Sequence, residues 1–278
     1  MPTATARDGV QIAYEVYGPQ DAEPVVMIHG LGADARGWAL QRFPFGRRYR
    51  CIAIDNRGVG RSDKPPGPYD LEVMSEDVLA VMDAEGVESA HLIGTSMGGI
   101  IAQIIAVSHP ERVRSLVLAA TACRQHPWRR ELFLEWRREV SNGGMNGLSE
   151  GALEWLIGPR LRKRFGVWLN LLARIMLQST PEPFCAQLDA IDNVDPSWSE
   201  RIREIQAPTL VIVGSQDALT PVGDSEELAE LIPKAELVVI GGAAHGLMVE
   251  SPNAFNTRVL EFLDGVCNDP TSESPRAG

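Results

Sequence analysis

Apolar positions along the chain follow two different periods. Short runs rich in β-branched and aliphatic residues recur as VQIAYEVYG (10–18), EPVVMIHG (23–30), YRCIAID (49–55), SAHLIG (89–94), VRSLVLAA (113–120), PTLVIVG (208–214) and AELVVIGG (235–242). The first alternates apolar and polar residues, and the later ones are nearly continuous, as expected of strands buried on both faces. Between them lie stretches of helical period: DLEVMSEDVLAVMDAEG (70–86), MGGIIAQIIAVSHPE (97–111), PVGDSEELAELIP (221–233) and NAFNTRVLEFLDG (253–265). Strands alternating with helices predict an α/β fold, a mostly parallel central sheet flanked by helices.

The alternation stops after Ala120 and resumes at Thr209. In between, the pattern is helical only. PWRRELFLEWRREV (127–140) opens with Pro127 at a favoured first helical position and lines up Trp128, Leu132, Phe133, Trp136 and Val140. VWLNLLARIM (167–176) does the same with Trp168, Leu171, Leu172 and Ile175. These features predict a core of residues 1–122 and 199–266, with 123–198 inserted as a helical cap. The polar, Pro-containing tail 267–278 is expected to be disordered.

The chain has 278 residues and a net charge of −11, so no basic footprint points to nucleic acid. No apolar run is long enough for a bilayer, and MPTATARDGVQIAYEVYG (1–18) lacks a signal-peptide pattern, so a cytoplasmic protein is expected. Cys51, Cys123, Cys185 and Cys267 are scattered, with no metal-like spacing to the histidines. Neither a disulfide framework nor a metal or other cofactor is expected.

The chemistry is concentrated at Gly94-Thr95-Ser96-Met97-Gly98, a G-x-S-x-G motif between a predicted strand and a predicted helix. In that context the serine occupies a sharp turn that projects its hydroxyl above the sheet. A serine hydroxyl needs a base, and the base needs an orienting carboxylate. Asp217 follows TLVIVG and His245 follows ELVVIGG, both at strand carboxyl ends, where open α/β sheets build their sites. The other histidines fit less well. His29 closes a strand beside Gly30, His91 opens one at the far end, His109 ends a helix, and His126 falls in the insertion. The other candidate position for the acid, Thr121-Ala122-Cys123, offers no carboxylate. Backbone N–H groups of Met97, after the serine, and of Leu31, in HGLG, are the expected oxyanion donors.

A competing motif is Gly30-Leu31-Gly32-Ala33-Asp34-Ala35, which satisfies G-x-G-x-x-A, with Asp55 ending the next strand and Arg57 nearby. That pattern would fit an NAD(P)-binding oxidoreductase. The segment after it carries Gly37 and Pro44, a poor opening for a pyrophosphate-binding helix, and the reading leaves Ser96, Asp217 and His245 unused.

HGLG, DNRGVGRSD, GTSMGG, GSQD and GAAHG, in this order, resemble the α/β-hydrolase superfamily, and the resemblance extends to about Gly265. The stretch 67–103 is similar to bacterial carboxylesterases and 3-oxoadipate enol-lactonases. The resemblance implies Ser96 as nucleophile, His245 as base and Asp217 as orienter, with Leu31 and Met97 as oxyanion donors. Enol-lactonases carry an Asn-Ser-Leu-Gly-type turn where this chain has HGLG, which favours a general ester hydrolase. A serine nucleophile argues against the dehalogenases and epoxide hydrolases of this fold, which use aspartate.

The expected function is hydrolysis of small carboxylic esters or lactones through an acyl-enzyme. A lactonase and a non-catalytic receptor on the same fold are the alternatives. Trp128, Trp136, Trp155 and Trp168 are candidates for an apolar substrate pocket, against the simpler expectation that they pack cap helices together. Residues 124–174 hold ten Lys or Arg against five Glu. Arg129, Arg130, Arg137 and Arg138 are expected on solvated helix faces, the alternative being that one or two attract an anionic substrate.

Overall fold

The computed structural model describes residues 1–165, 168, 179–195 and 197–268. Its strands are β1 (Thr3–Thr5), β2 (Gln11–Tyr17), β3 (Pro24–Ile28), β4 (Arg50–Ile54), β5 (Ala90–Thr95), β6 (Val113–Ala119), β7 (Thr209–Gly214) and β8 (Ala235–Ile240). They form one sheet in the order β1-β2-β4-β3-β5-β6-β7-β8. The pairs β1–β2 and β2–β4 are antiparallel, and the others are parallel. The continuous apolar runs of β5 and β7 are buried along their whole length. β8 departs from that pattern because it is an edge strand, with Val239 43% exposed. β1, with only Ala4 buried among its three residues, is too short to leave a periodic signal.

The helices are α1 (Ala39–Gly46), α2 (Leu71–Ala84), α3 (Met97–Ser108), α4 (Pro127–Gly147), α5 (Ser149–Leu156), α6 (Pro159–Phe165), α7 (Pro181–Asp192), α8 (Trp198–Arg201), α9 (Val222–Leu231), α10 (Leu247–Glu250) and α11 (Pro252–Asn268). α2, α3 and α9 pack on one face of the sheet, and their apolar cluster continues into α4 and α7. Trp38 and Phe45, around α1, cover the other face together with Phe255, Val259 and Leu263 of α11. Helices α4 to α8 lie between β6 and β7, and they form the helical cap. α11 continues through Cys267 to Asn268, where a disordered tail was expected to begin, and residues 269–278 lie outside the described residues. So do Leu171, Leu172 and Ile175. No helix among the described residues is long and apolar enough to cross a membrane. The four cysteines are free thiols.

DNRGVGRSD (55–63) is a structural loop. Arg57 grips Asp77 of α2 through Nε–Oδ2 (2.6 Å) and Nη2–Oδ1 (2.7 Å), and both side chains are buried. Asp55, the acidic residue of the dinucleotide pattern, instead accepts hydrogen bonds from Ala35 N (2.8 Å) and Arg61 N (2.9 Å). The segment after that motif is a short 3₁₀ turn, Ala35–Trp38, and α1 beyond it contains Pro44.

Two histidines, His91 buried and His29 half-buried with its Nε2 enclosed, couple the fold to pH. Desolvation pushes both down to about 4, opposed on His29 by the charge of Asp34 and reinforced there by His245. Both stay neutral in the folded state while unfolded histidines protonate near 6.5. The unfolded chain therefore binds more protons between pH 6.5 and 4, and the stability these groups contribute is full above 6.5 and lost as the pH falls. By pH 5 each is expected to cost about 2 kcal/mol. Urea unfolding of the wild type and His91→Gln at pH 7 and pH 5 checks this, since the carboxylates cancel in the difference. The variant should lose about half of the histidine contribution. An unchanged pH dependence would contradict the assignment.

Candidate active site

Ser96 sits between the end of β5 and the start of α3, at φ 53° and ψ −120°. A non-glycine residue in this region carries strain of order 1–3 kcal/mol and persists only when its surroundings fix it. Here Ser96 N donates to Ala119 O (2.9 Å), and Thr121 Oγ1 donates to Ser96 O (2.7 Å). The motif glycines answer to crowding at the turn. A Cβ on Gly98 would lie 2.2 Å from Ile28 O, and one on Gly94 would lie 2.3 Å from Gly98 O. The chain after β3 also passes close by, since a Cβ on Gly30 would come within 3.0 Å of Ser96 Cβ.

His245 and Asp217 come from the loops after β8 and β7 and are both buried. His245 Nδ1 and Asp217 Oδ2 are 2.9 Å apart. The carboxylate is held from its other side as well: Oδ1 accepts from Leu219 N (3.0 Å) and Thr220 N (2.9 Å), and Oδ2 accepts from Thr220 Oγ1 (2.8 Å). This arrangement leaves Nε2 of the imidazole as the nitrogen available to a substrate or hydroxyl. Ser96 and His245 line the same cavity, and no hydrogen bond joins them among the described residues. Such contacts are often long until a substrate is bound.

Three residues beyond the sequence expectations support this pair. Thr220 braces Asp217, and a hydroxyl three residues after an acid in a turn is a common hydrogen-bonding pattern that gives little signal in sequence. Glu250, on α10, accepts from Ala244 N (3.1 Å) and from Gly158 N (3.0 Å) in the cap, and burial raises its carboxyl pKa. Gly246 N donates to Leu156 O (2.8 Å), a second tie between the cap and the loop of His245. Arg129 does the same for the loop of Asp217. Expected on a solvated face, it is buried at 3% exposure, donating Nε to Leu219 O (2.9 Å) and pairing with Asp224. Its Nη1 reaches Arg124 O (2.9 Å), so its donors are spent on protein acceptors. His126 also faces Asp224, 3.1 Å away. Arg130 and Arg138 are exposed as expected, whereas Arg137 is half-buried beside Asp189.

Above Ser96 and His245 opens a cavity of about 400 Å³ with mainly apolar walls. Leu31, Phe133, Trp136, Leu153, Leu156 and Met248 are among the lining residues. Of the four candidate tryptophans, Trp136 reaches this wall. Trp128 and Trp155 stack on each other at 5.9 Å, and Trp168 is 73% exposed, so these three are surface and packing residues. The reason is local. Trp128 is in the first turn of α4, where Arg129 covers its ring from 5.0 Å, and aliphatic residues of α5 fill the pocket wall instead. Met97, at the first position of α3, has no acceptor one turn back for its N–H, and Leu31 lies in the loop that packs against Ser96.

This sheet order, with a strained serine turn after β5 and a helical cap above it, defines a class of hydrolases. The chain belongs to the alpha/beta hydrolase fold family, whose model matches residues 23–151 and 152–252. It is 31% identical over 271 residues to a provisionally named carbamate hydrolase of Caulobacter segnis, covering 95% of this chain and 100% of that one. The crystal structure of the enol-lactonase from Burkholderia xenovorans LB400 superposes with a TM-score of 0.88 at 29% identity, covering 95% of this chain and 100% of the other. A thermophilic esterase from Thermogutta terrifontis gives 0.87 at 27% identity, covering 95% and 98%. The protein is a hydrolase of this family.

Proposed function

We propose that the chain is a serine hydrolase that cleaves carboxylic esters through an acyl-enzyme intermediate. The observation that carries this reading is the buried His245–Asp217 hydrogen bond (2.9 Å) in the wall of the cavity that also holds the strained Ser96. His245 Nε2 takes the proton of Ser96 as its oxygen attacks the ester carbonyl, and Asp217 stabilises the imidazolium. The Leu31 and Met97 N–H groups receive the oxyanion. The alkoxide leaves with the proton from His245. Water, deprotonated by the same nitrogen, then releases the acid and regenerates Ser96. Residues 1–122 and 199–266 supply this machinery, and the described residues of 123–198 cover it.

Likeness to the Burkholderia enol-lactonase supports a second reading, in which the ester bond is closed in a ring. The two readings share every step except that the alkoxy group freed by ring opening takes the His245 proton while still tethered to the acyl-enzyme, and leaves only when water releases the hydroxy acid. Rapid mixing with p-nitrophenyl acetate tests both, because an acyl-enzyme releases one equivalent of nitrophenol per site in a burst before steady turnover. Absence of turnover together with absence of a burst would count against the reading.

A further inference from the structure

The space around Ser96 has two unequal lobes. The larger, about 400 Å³, is lined by His245 and Leu31 together with the cap aliphatics. The smaller, about 40 Å³, lies among Met97, Ile100, Thr121, Cys123, Val194 and Trp198, with Arg124, Gln125 and Arg129 also on its wall. Ser96, Phe133, Ile191 and Leu219 border both lobes, so the reacting carbon sits where they meet. At 10–15 Å³ per water-sized sphere, the small lobe holds roughly three such spheres. A methyl, ethyl or propyl group fits it; an octanoyl chain does not.

We infer that the small lobe is the acyl site and the large lobe the leaving-group site, so that the enzyme selects short acyl groups, of about two to four carbons, esterified to bulky apolar alcohols. The inference rests on the assignment of Ser96 and His245 given above, and the direction follows from the proton. As the Ser96 Oγ–carbon bond forms, the hydroxyl proton passes to His245 Nε2. As the carbon–alkoxy bond breaks, that same proton must reach the departing oxygen. The alkoxy oxygen therefore faces His245, and His245 borders the large lobe but not the small one. The acyl substituent, on the opposite side of the carbonyl carbon, is directed past Met97 toward Ile100 and Val194.

Two ester series separate the alternatives. With p-nitrophenol as a fixed leaving group, kcat/KM should fall at least about tenfold between butyrate and octanoate, the penalty expected for overfilling a packed site. With acetate as a fixed acyl group, 1-naphthyl acetate should match or exceed phenyl acetate, since the two alcohols have similar acidity and differ mainly in size. Ile100→Ala should raise the octanoate-to-acetate ratio, and Leu153→Trp should lower the naphthyl-to-phenyl ratio without changing the acyl ranking. A rise toward octanoate combined with a preference for phenyl over naphthyl acetate would overturn the lobe assignment while leaving the serine-hydrolase reading intact. Failure of every ester, together with failure of a fluorophosphonate to label Ser96, would instead remove the reading on which it rests.

Discussion

Ser96→Ala is expected to lower ester turnover by at least about a thousandfold while leaving the fold intact, because a nucleophile works as a unit with its base and its loss removes the covalent route. The substitution deletes one oxygen that faces the cavity. The turn itself is held by backbone contacts, from Ser96 N to Ala119 O and from Thr121 Oγ1 to Ser96 O, and alanine keeps both. Thermal unfolding should therefore shift by no more than a few degrees, the range of a mild substitution. Steady-state kinetics with p-nitrophenyl acetate, paired with a melting curve, checks both halves. Wild-type turnover in the folded variant would remove Ser96 from the mechanism.

The second large effect is at Asp217. Asp217→Asn should reduce kcat by about 10⁴, the scale expected when an orienting carboxylate becomes an amide. The surroundings decide which way the amide points. Leu219 N and Thr220 N both donate to Oδ1, so the asparagine carbonyl must stay there and its NH₂ must face His245 Nδ1. The imidazole is then forced to accept at Nδ1 and to carry its proton on Nε2, where it cannot take another from Ser96. Asp217→Glu offers a contrast, because it keeps the acceptor while displacing it, and should retain more activity than the amide. If Asp217→Asn kept a tenth or more of the wild-type rate, the carboxylate would have no orienting role.

The fold was largely legible in the sequence because its strands are short, buried and separated by helical runs of different period. The turn at Ser96 was legible for a steric reason: Gly94 and Gly98 are required where the strand, the helix and the β3 chain meet. Asp217 and His245 could be named from their positions just beyond strands. The cap was less legible. Helical period alone cannot distinguish a residue facing the cavity from one facing another helix, so the sequence left Trp128, Trp136, Trp155 and Trp168 as pocket candidates beside the simpler packing expectation, and of these Trp136 lines the cavity. Arg129 gave the same difficulty in reverse. Its partners, Leu219 O and Asp224, are some ninety residues away in the chain, and no local pattern reports such a pairing. Thr220 braces Asp217 through its hydroxyl and N–H, and Glu250 accepts backbone N–H groups of the cap and the His245 loop, contacts of too common a kind to single out either residue in sequence.

The central claim is that Ser96 becomes covalently acylated, and intact-mass analysis after treatment with a fluorophosphonate tests it most directly. One adduct per chain is expected in the wild type, mapped by peptide sequencing to Ser96, and none in Ser96→Ala. An adduct at another residue, or an unmodified wild-type chain that still hydrolyses esters, would contradict it.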